Sequence, residues 1–168
     1  MAYRSVALLR AVNVGGNNKV LMADLRALFE TLGHTGVATY VQSGNLVFTS
    51  KRAPNATKLE DAFEERFGFR SAFVLRDRDE LASLTARNPF LRGEVDHAKL
   101  HVIFAQAIGT MTIKESPPDR YHVDGHEAFV HYANGAGKTK LRVDFGTPST
   151  ARNWRIVLAL QDMLGAPV

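Results

Sequence analysis

The 168-residue chain contains no cysteine. This absence excludes disulfide bonds, thiolate metal sites, cysteine nucleophiles and iron–sulfur clusters. Among the six histidines, His122 and His126 are four residues apart, but they flank a predicted hairpin turn and do not share a helix face. We therefore predict neither a metal nor a cofactor. Burial of apolar side chains must hold the fold, and 45% of the residues are apolar.

Long apolar runs are also missing. No stretch approaches the roughly 18 uninterrupted apolar residues that a membrane span needs. The first residues do not show the basic region, apolar core and cleavage site of a signal peptide in succession. We therefore expect a soluble, cytoplasmic protein with no membrane partner.

Charge of one sign does not dominate, because 21 basic residues stand against 17 acidic ones. This balance allows a nucleic-acid partner without implying one. The loops that are rich in glycine, amides and bases contain no carboxylate, which metal-dependent phosphoryl transfer and many general-base mechanisms need. The Gly-x-Ser-x-Gly elbow of hydrolases is absent as well. Whether the protein is an enzyme stays open.

The hydrophobic pattern over residues 1–76 predicts the element order β-α-β-β-α-β, which is the ferredoxin-like or split βαβ unit. Residues 77–98 read as a connecting helix and linker, opened by Asp77 and Glu80 at capping-box spacing. Residues 99–168 read as a second ferredoxin-like half. We therefore predict an α+β protein of two ferredoxin-like halves packed together, with mixed or antiparallel sheets and helices.

The second half is predicted to run β-α-β-β-α. Its first helix is a weak helical stretch around Met111 to Glu115. Asp124-Gly125 between two β-rich segments predicts a hairpin with a type I′ turn. Apolar residues from Trp154 to Leu164 at helical spacing predict the last helix.

Five motifs resemble, in order and spacing, those of the bacterial domain-of-unknown-function family numbered 1697. The resemblance spans nearly the whole chain and implies two related α+β subdomains, with no established activity. The chain departs from the family pattern at Thr139, where serine is usual, and over Arg142 to Ser149, where a helix is usual. Alternating apolar residues there predict a short strand or a loop. The motifs are Arg10–Gly16 with Lys19 and Met22, Gln42–Phe48, Asn88–Phe90, Gly135–Leu141 and Arg152–Trp154.

The loop from Asn13 to Lys19 leads from a buried strand to a helix N-terminus, where unpaired N–H groups favour an anion. Gly15 and Gly16 allow close approach of a ligand, and Lys19 adds a positive charge. The turn Ser43 to Asn45 belongs to the same end of a ferredoxin-like sheet. We predict an anion cradle there; alternatively, the glycines only supply left-handed backbone in a long turn.

The segment from Gly135 to Lys140 is not a P-loop, because Tyr132 occupies the position of the first glycine. It is either a looser phosphate-binding loop or a flexible basic turn. Arg152 and Asn153 stand near the start of the last helix, where an arginine opposes the helix dipole unless an anion binds. The alternative is an exposed arginine that the helix tolerates.

The leading hypothesis is a binding protein for an anionic, phosphate-bearing ligand, namely a nucleotide, a phosphorylated metabolite or a nucleic-acid backbone. An enzyme that acts on a phosphorylated small molecule without metal or cysteine chemistry is one alternative. An interaction module with no ligand is the other. The candidate anion-binding residues are Asn13, Gly15, Gly16, Lys19, Ser43, Asn45, Lys138, Lys140, Arg152 and Asn153.

Overall fold

The computed structural model describes residues 2–14, 16–41 and 44–165. It confirms the α+β class, and every strand pair in the described part is antiparallel. The chain divides into two compact units, Met1–Ala82 with Leu160–Val168 and Ser83–Ala159. No helix within the described ranges is long and apolar enough to cross a membrane. The division at residues 76 and 98 stays a prediction.

The described residues form four α-helices, ten strands and one short 3₁₀ helix, Ala136–Lys138. The helices are α1 (Met22–Thr31), α2 (Ala56–Phe67), α3 (Arg78–Arg87) and α4 (Trp154–Leu164). The strands are β1 (Tyr3–Leu9), β2 (Thr35–Thr39), β3 (Asn45–Ser50), β4 (Phe73–Asp77), β5 (Leu100–Ala105), β6 (Thr112–Lys114), β7 (Arg120–Asp124), β8 (Glu127–His131), β9 (Arg142–Asp144) and β10 (Ser149–Asn153).

The first unit has the predicted ferredoxin-like architecture, with the strand order β2-β3-β1-β4. Helices α1 and α2 contribute Phe29 and Phe63 to the core of this unit. Phe29 packs edge-on against Phe48 of β3, with ring centroids 5.0 Å apart. Phe63 meets Phe73 of β4 in the same way at 5.6 Å. Burial of these aromatic side chains is the main term that stabilises the unit.

Local signals set the ends of the helices. Asn55 caps α2, because its side chain accepts a hydrogen bond from the N–H of Lys58. Gly68 ends α2 in the left-handed conformation, with φ of 81°. The capping box at the start of α3 is confirmed: Glu80 N–H donates to Asp77 at 2.7 Å, and Asp77 N–H donates to Glu80 at 3.1 Å.

The second unit has the same ferredoxin-like strand order, β10-β5-β8-β7, but neither of its crossovers is a helix. The crossover strands β6 and β9 pair as a separate two-stranded sheet. The predicted weak helix at Met111 to Glu115 is therefore wrong. Ile113 is half-buried between two exposed neighbours, and this alternation has the two-residue period of a strand. Ile113 pairs with Val143 of β9. The alternation that predicted a strand or loop after Leu141 corresponds to β9.

The β7–β8 hairpin is present, but its turn is shifted by one residue from the prediction. Asp124 pairs with Glu127, so that the two loop residues are Gly125 and His126. Gly125 takes the first loop position with φ of 63°, which is the position where a type II′ turn needs glycine. His126 at the second loop position does not have a positive φ, which a type I′ turn requires at both positions, and the predicted type I′ turn is therefore wrong.

Candidate functional site

The loop between β1 and α1 is braced by its own amide side chains. Oδ1 of Asn13 accepts a hydrogen bond from Val20 N–H at 2.8 Å, and Nδ2 of Asn13 donates to Val20 O at 2.9 Å. Asn18 donates its side-chain amide to Ala11 O at 3.2 Å. The carboxamide of Asn13 is thus bonded on both sides to one residue. Its visible role is to close the loop in front of α1.

Three of the predicted residues line one depression at this loop. Asn13, Gly16 and Lys19 surround about 310 Å³ together with Val20 and Leu21. Lys19 is exposed, and the helix cap Leu21 supplies no side-chain bond to α1. Asp24 in the first turn of α1 already places a negative charge at this helix start, which offsets the attraction for an anion. Gly15 and Ser43, which were also predicted, lie outside the described residues.

Backbone strain is concentrated at this end of the first unit. The non-glycine residues with positive φ in the described ranges are Ala11, Asn13, Asn18 and Val41, with φ between 50° and 58°. Each costs about 1–2 kcal/mol, most for the β-branched Val41 and least for asparagine. Residues held in such conformations cluster at binding and catalytic sites more often than elsewhere.

The β2–β3 turn adjoins the end of β1. Leu9 N–H donates to Gly44 O at 2.9 Å, and a Cβ at Gly44 would lie only 2.9 Å from Cβ of Leu9. Asn45 is fully buried, and its Nδ2 donates to Tyr40 O at 3.0 Å. Close packing against Leu9 explains why position 44 is a glycine, and the side-chain amide of Asn45 stabilises the turn through its hydrogen bond to Tyr40.

A carboxylate that sequence reasoning missed holds the loop around Lys138 and Lys140. Asp119 accepts hydrogen bonds from Ala133 N–H at 2.8 Å and from the Thr139 hydroxyl. Lys140 N–H in turn bonds Oγ of Ser116 at 3.3 Å. Asp119 belongs to none of the five motifs, since it lies 20 residues before Thr139 in the sequence. It directly precedes β7, and the position of this strand places it beside the loop. The two lysines therefore extend from a braced loop beside an acid.

Arg152 lies two residues before the first residue of α4, near the helix start as predicted, but it is not the exposed arginine of the alternative. It lies in β10, paired with Val102, and only 6% of its surface is exposed. The guanidinium donates to Oγ1 of Thr150 at 2.6 Å and to Ala151 O at 2.9 Å. Burial lowers the pKa of Arg152 to about 10. The segment lacks strong β-formers, which is why the strand was missed.

Asn153 is the N-cap of α4, because its Oδ1 accepts a hydrogen bond from Ile156 N–H at 3.0 Å. Replacement by alanine is expected to lower the free energy of unfolding by about 1 kcal/mol. Unfolding in urea, followed by the fluorescence of the buried Trp154, measures this change. Asn153→Asp keeps a capping oxygen and should unfold like the parent. An aspartate variant as unstable as the alanine variant would contradict the capping role.

A further candidate site is a cavity of about 1010 Å³ in the second unit, which the sequence did not predict. Its walls come from the Asn88–Phe90 segment, the connection to β5 and one edge of the sheet. Antiparallel pairing sets this edge: Leu100 at the start of β5 and Arg120 at the start of β7 both pair with His131 at the end of β8. Lys99, Arg120 and His131 consequently gather there.

The cavity is lined by a bulky aromatic ring next to these bases. The guanidinium carbon of Arg120 lies 5.1 Å from the centre of the Phe90 ring. The ring of His131 is 6.4 Å from the same ring. Lys99 and Arg120 form no ion pair with any carboxylate of the described residues. Their charges are directed to solvent or to a ligand.

The surroundings of His131 favour the neutral form of its imidazole. Burial lowers the pKa of His131, and the nearby charges of Arg120 and Lys99 lower it further. Asp119 acts in the opposite direction but does not reverse the change. Nδ1 of His131 is buried without a hydrogen-bond partner among the described residues. The proton of the neutral ring therefore belongs on Nε2, because an N–H group buried without an acceptor costs about 1–3 kcal/mol.

Acids partly balance the charge of the cavity. Arg87 also lines it, but this arginine is paired with Glu127 at 2.6 Å and with Asp124 at 3.1 Å. Of the two lining carboxylates, Glu94 is exposed, whereas Asp96 caps Ala98 N–H and lies 3.8 Å from Arg155. Because Lys99, Arg120 and Arg92 have no carboxylate partner among the described residues, the net charge of the cavity lining is positive. Nowhere in the described ranges do three or more metal-ligating side chains cluster.

The comparisons with known proteins give a family and a fold. The family model described as "Protein of unknown function (DUF1697)" matches residues 2–129. A solved structure of the conserved bacterial protein SP0830 from Streptococcus pneumoniae is similar, with a TM-score of 0.75 and 24% identity over 98% of this chain and 99% of that one. This likeness supports the fold alone. No curated protein matches the chain. Since the family model covers most of its length, the chain belongs to the DUF1697 family.

Proposed function

We propose that the protein binds an anionic, phosphate-bearing small molecule in the cavity of the second unit. The observation that carries this proposal is the convergence of Lys99, Arg120 and the neutral His131 on one sheet edge. Guanidinium and ammonium groups without acid partners favour a phosphate, and Arg120 offers a planar fork that fits two of its oxygens. Nε2–H of His131 adds a neutral donor.

The cavity favours a small organic molecule over inorganic phosphate or a nucleic-acid backbone. Its volume of about 1010 Å³ lies at the upper end of the range for small-molecule sites. Pro89, Phe90 and Leu91 supply apolar lining next to the bases. A phosphorylated compound with an organic body uses both kinds of surface. The candidate residues in the first unit, around Lys19, and those around Lys138 remain predicted anion-binding residues.

A thermal-shift panel of inorganic phosphate, phenyl phosphate, sugar phosphates, nucleotides and a short oligonucleotide tests the proposal. A ligand at about 100 times its dissociation constant adds roughly 2.7 kcal/mol of stability, or about 5–10 °C in melting temperature. The double variant Lys99→Gln/Arg120→Gln should weaken binding by about 10²- to 10⁴-fold, because two charge-assisted hydrogen bonds of about 1.5–3 kcal/mol each are lost.

The matched control is Lys51→Gln/Arg52→Gln, which removes two exposed bases of the first unit and changes the net charge equally. It should bind like the parent. An equal loss in both double variants would show a nonspecific charge effect and contradict the site. If no compound of the panel raises the melting temperature at low salt, the proposed function is contradicted. A steep loss of oligonucleotide affinity with added salt would instead support the nucleic-acid alternative.

A further inference from the structure

The motif Asn88-Pro89-Phe90 has a defined geometry at the wall of the cavity. Oδ1 of Asn88 accepts a hydrogen bond from Phe90 N–H at 3.0 Å, and Asn88 itself is 92% buried from solvent, with 8% exposed. Proline at position 89 fixes one backbone angle between the two residues. The backbone that leads into Phe90 is thus held by a side-chain hydrogen bond and by the proline ring. The ring projects from a rigid turn and does not depend on a mobile loop.

Arg120 is exposed, and such a side chain has about 2 kcal/mol of rotamer entropy to lose when it binds an anion. A partner that holds the guanidinium in advance lowers that cost. In the described part of the chain the contact that Arg120 makes is with the face of the Phe90 ring, at 5.1 Å. A ring neutralises no charge, so the guanidinium stays available to an anion while its position is restricted.

We infer that Phe90 is a positioning residue for the anion site, which holds Arg120 at the edge of the cavity for an incoming phosphate. The inference rests on the proposed function. It assigns the Asn88-Pro89-Phe90 motif a purpose: Asn88 fixes Phe90, and Phe90 fixes Arg120. The ring face, and not a hydrogen bond or an acid, sets the geometry of the phosphate-binding arginine.

A double-mutant cycle between Phe90→Leu and Arg120→Gln tests this role, with inorganic phosphate and phenyl phosphate as titrants in calorimetry. Phe90→Leu alone should weaken both titrants about fivefold, because Arg120 would then lose about 1 kcal/mol more of its rotamer entropy on binding. In the Arg120→Gln background the same change should have no further effect. Phe90→Trp, which presents a better ring face, should restore the parent affinity.

The two titrants separate positioning from direct stacking. If Phe90 acts through Arg120, both lose affinity by the same factor; if the ring of the ligand stacks on Phe90, phenyl phosphate loses more, and the inference is overturned. An additive cycle overturns it as well, since Phe90 would then act independently of Arg120. Absence of binding to the parent protein overturns both this inference and the proposed function, whereas binding with an additive cycle overturns the inference alone.

Discussion

Replacement of Arg87 by methionine is expected to lower the free energy of unfolding by about 3 kcal/mol. The guanidinium lies 2.6 Å from Glu127, whose side chain is only 3% exposed, and 3.1 Å from Asp124. Methionine keeps an unbranched side chain of similar length beside the Phe129 ring, which lies 5.8 Å from the guanidinium carbon of Arg87, but it removes the charge. It leaves the nearly buried carboxylate of Glu127 without its arginine, which costs about 3–5 kcal/mol in comparable pairs.

The pKa of Arg87 reflects both its burial and its pairing with the two carboxylates. Burial alone would lower the pKa of Arg87, but the bonds from Glu127 and Asp124 raise it above its ordinary value. The guanidinium of Arg87 therefore keeps its charge in the folded protein. Glu127 is the member that has given up solvent, and its desolvation is what the arginine offsets.

Urea denaturation followed by circular dichroism measures the effect, and a loss of 3 kcal/mol corresponds to a fall of about 6–12 °C in melting temperature. Arg155→Met is the matched control, because its contact with Asp96 is 3.8 Å long and exposed on both sides. That variant should change stability by less than about 1 kcal/mol. Adding Glu127→Gln to Arg87→Met should recover part of the loss. Equal stability of Arg87→Met and Arg155→Met would refute the argument.

The fold of the first unit follows from local patterns. Phe29 and Leu25 stand on one face of α1, Asn55 and Gly68 mark the ends of α2, and Asp77 with Glu80 opens α3. Each signal acts within a few residues of the structure it determines. Hydrophobic spacing, caps and a left-handed glycine are therefore readable without a structure.

The crossover strands of the second unit form because each pairs with a segment far away in the sequence. Strand β6 has one apolar residue, Ile113, and exists because it pairs with β9 about thirty residues later. Strand propensity depends strongly on such neighbours. The same limit explains β10, which was not predicted as a strand. Sequence spacing could not show that Val102 would pair with its Arg152.

The cavity of the second unit illustrates how register assembles a site. Lys99, Arg120 and His131 each stand at a strand end, and any one of them alone reads as a solvated base. Knowledge of the predicted hairpin would have brought Arg120 near His131, but the turn prediction was shifted by one residue. With a loop of Asp124 and Gly125, Arg120 would pair with Phe129, two residues short of His131. The sequence motifs therefore could not predict this site.

The second large effect is expected at Gly146, which packs against backbone. A Cβ at this position would lie 2.6 Å from Thr110 O and 2.7 Å from Thr110 N, at a φ of 73°. Gly146→Ala should lower the free energy of unfolding by about 3 kcal/mol. Left-handed backbone with a side chain costs about 1–2 kcal/mol, and displacement of a packed neighbour costs about 1–3 kcal/mol more.

The displaced neighbour cannot move aside cheaply. Gly109 N–H donates to Phe145 O at 2.9 Å, and Thr147 donates its hydroxyl to Ala107 O at 2.6 Å. These bonds hold the segment around Thr110 against the segment around Gly146 on both sides of the contact. Relief of the clash therefore requires breaking at least one of them.

Gly93→Ala separates the two contributions, because Gly93 has nearly the same φ, 74°, and open space where its Cβ would be. It should cost only the conformational term, about 1 kcal/mol. Urea unfolding followed by Trp154 fluorescence compares the variants in the second unit. A difference of about 2 kcal/mol between them measures the clash with Thr110. If both alanine variants lose the same stability, close packing is not what requires glycine at position 146.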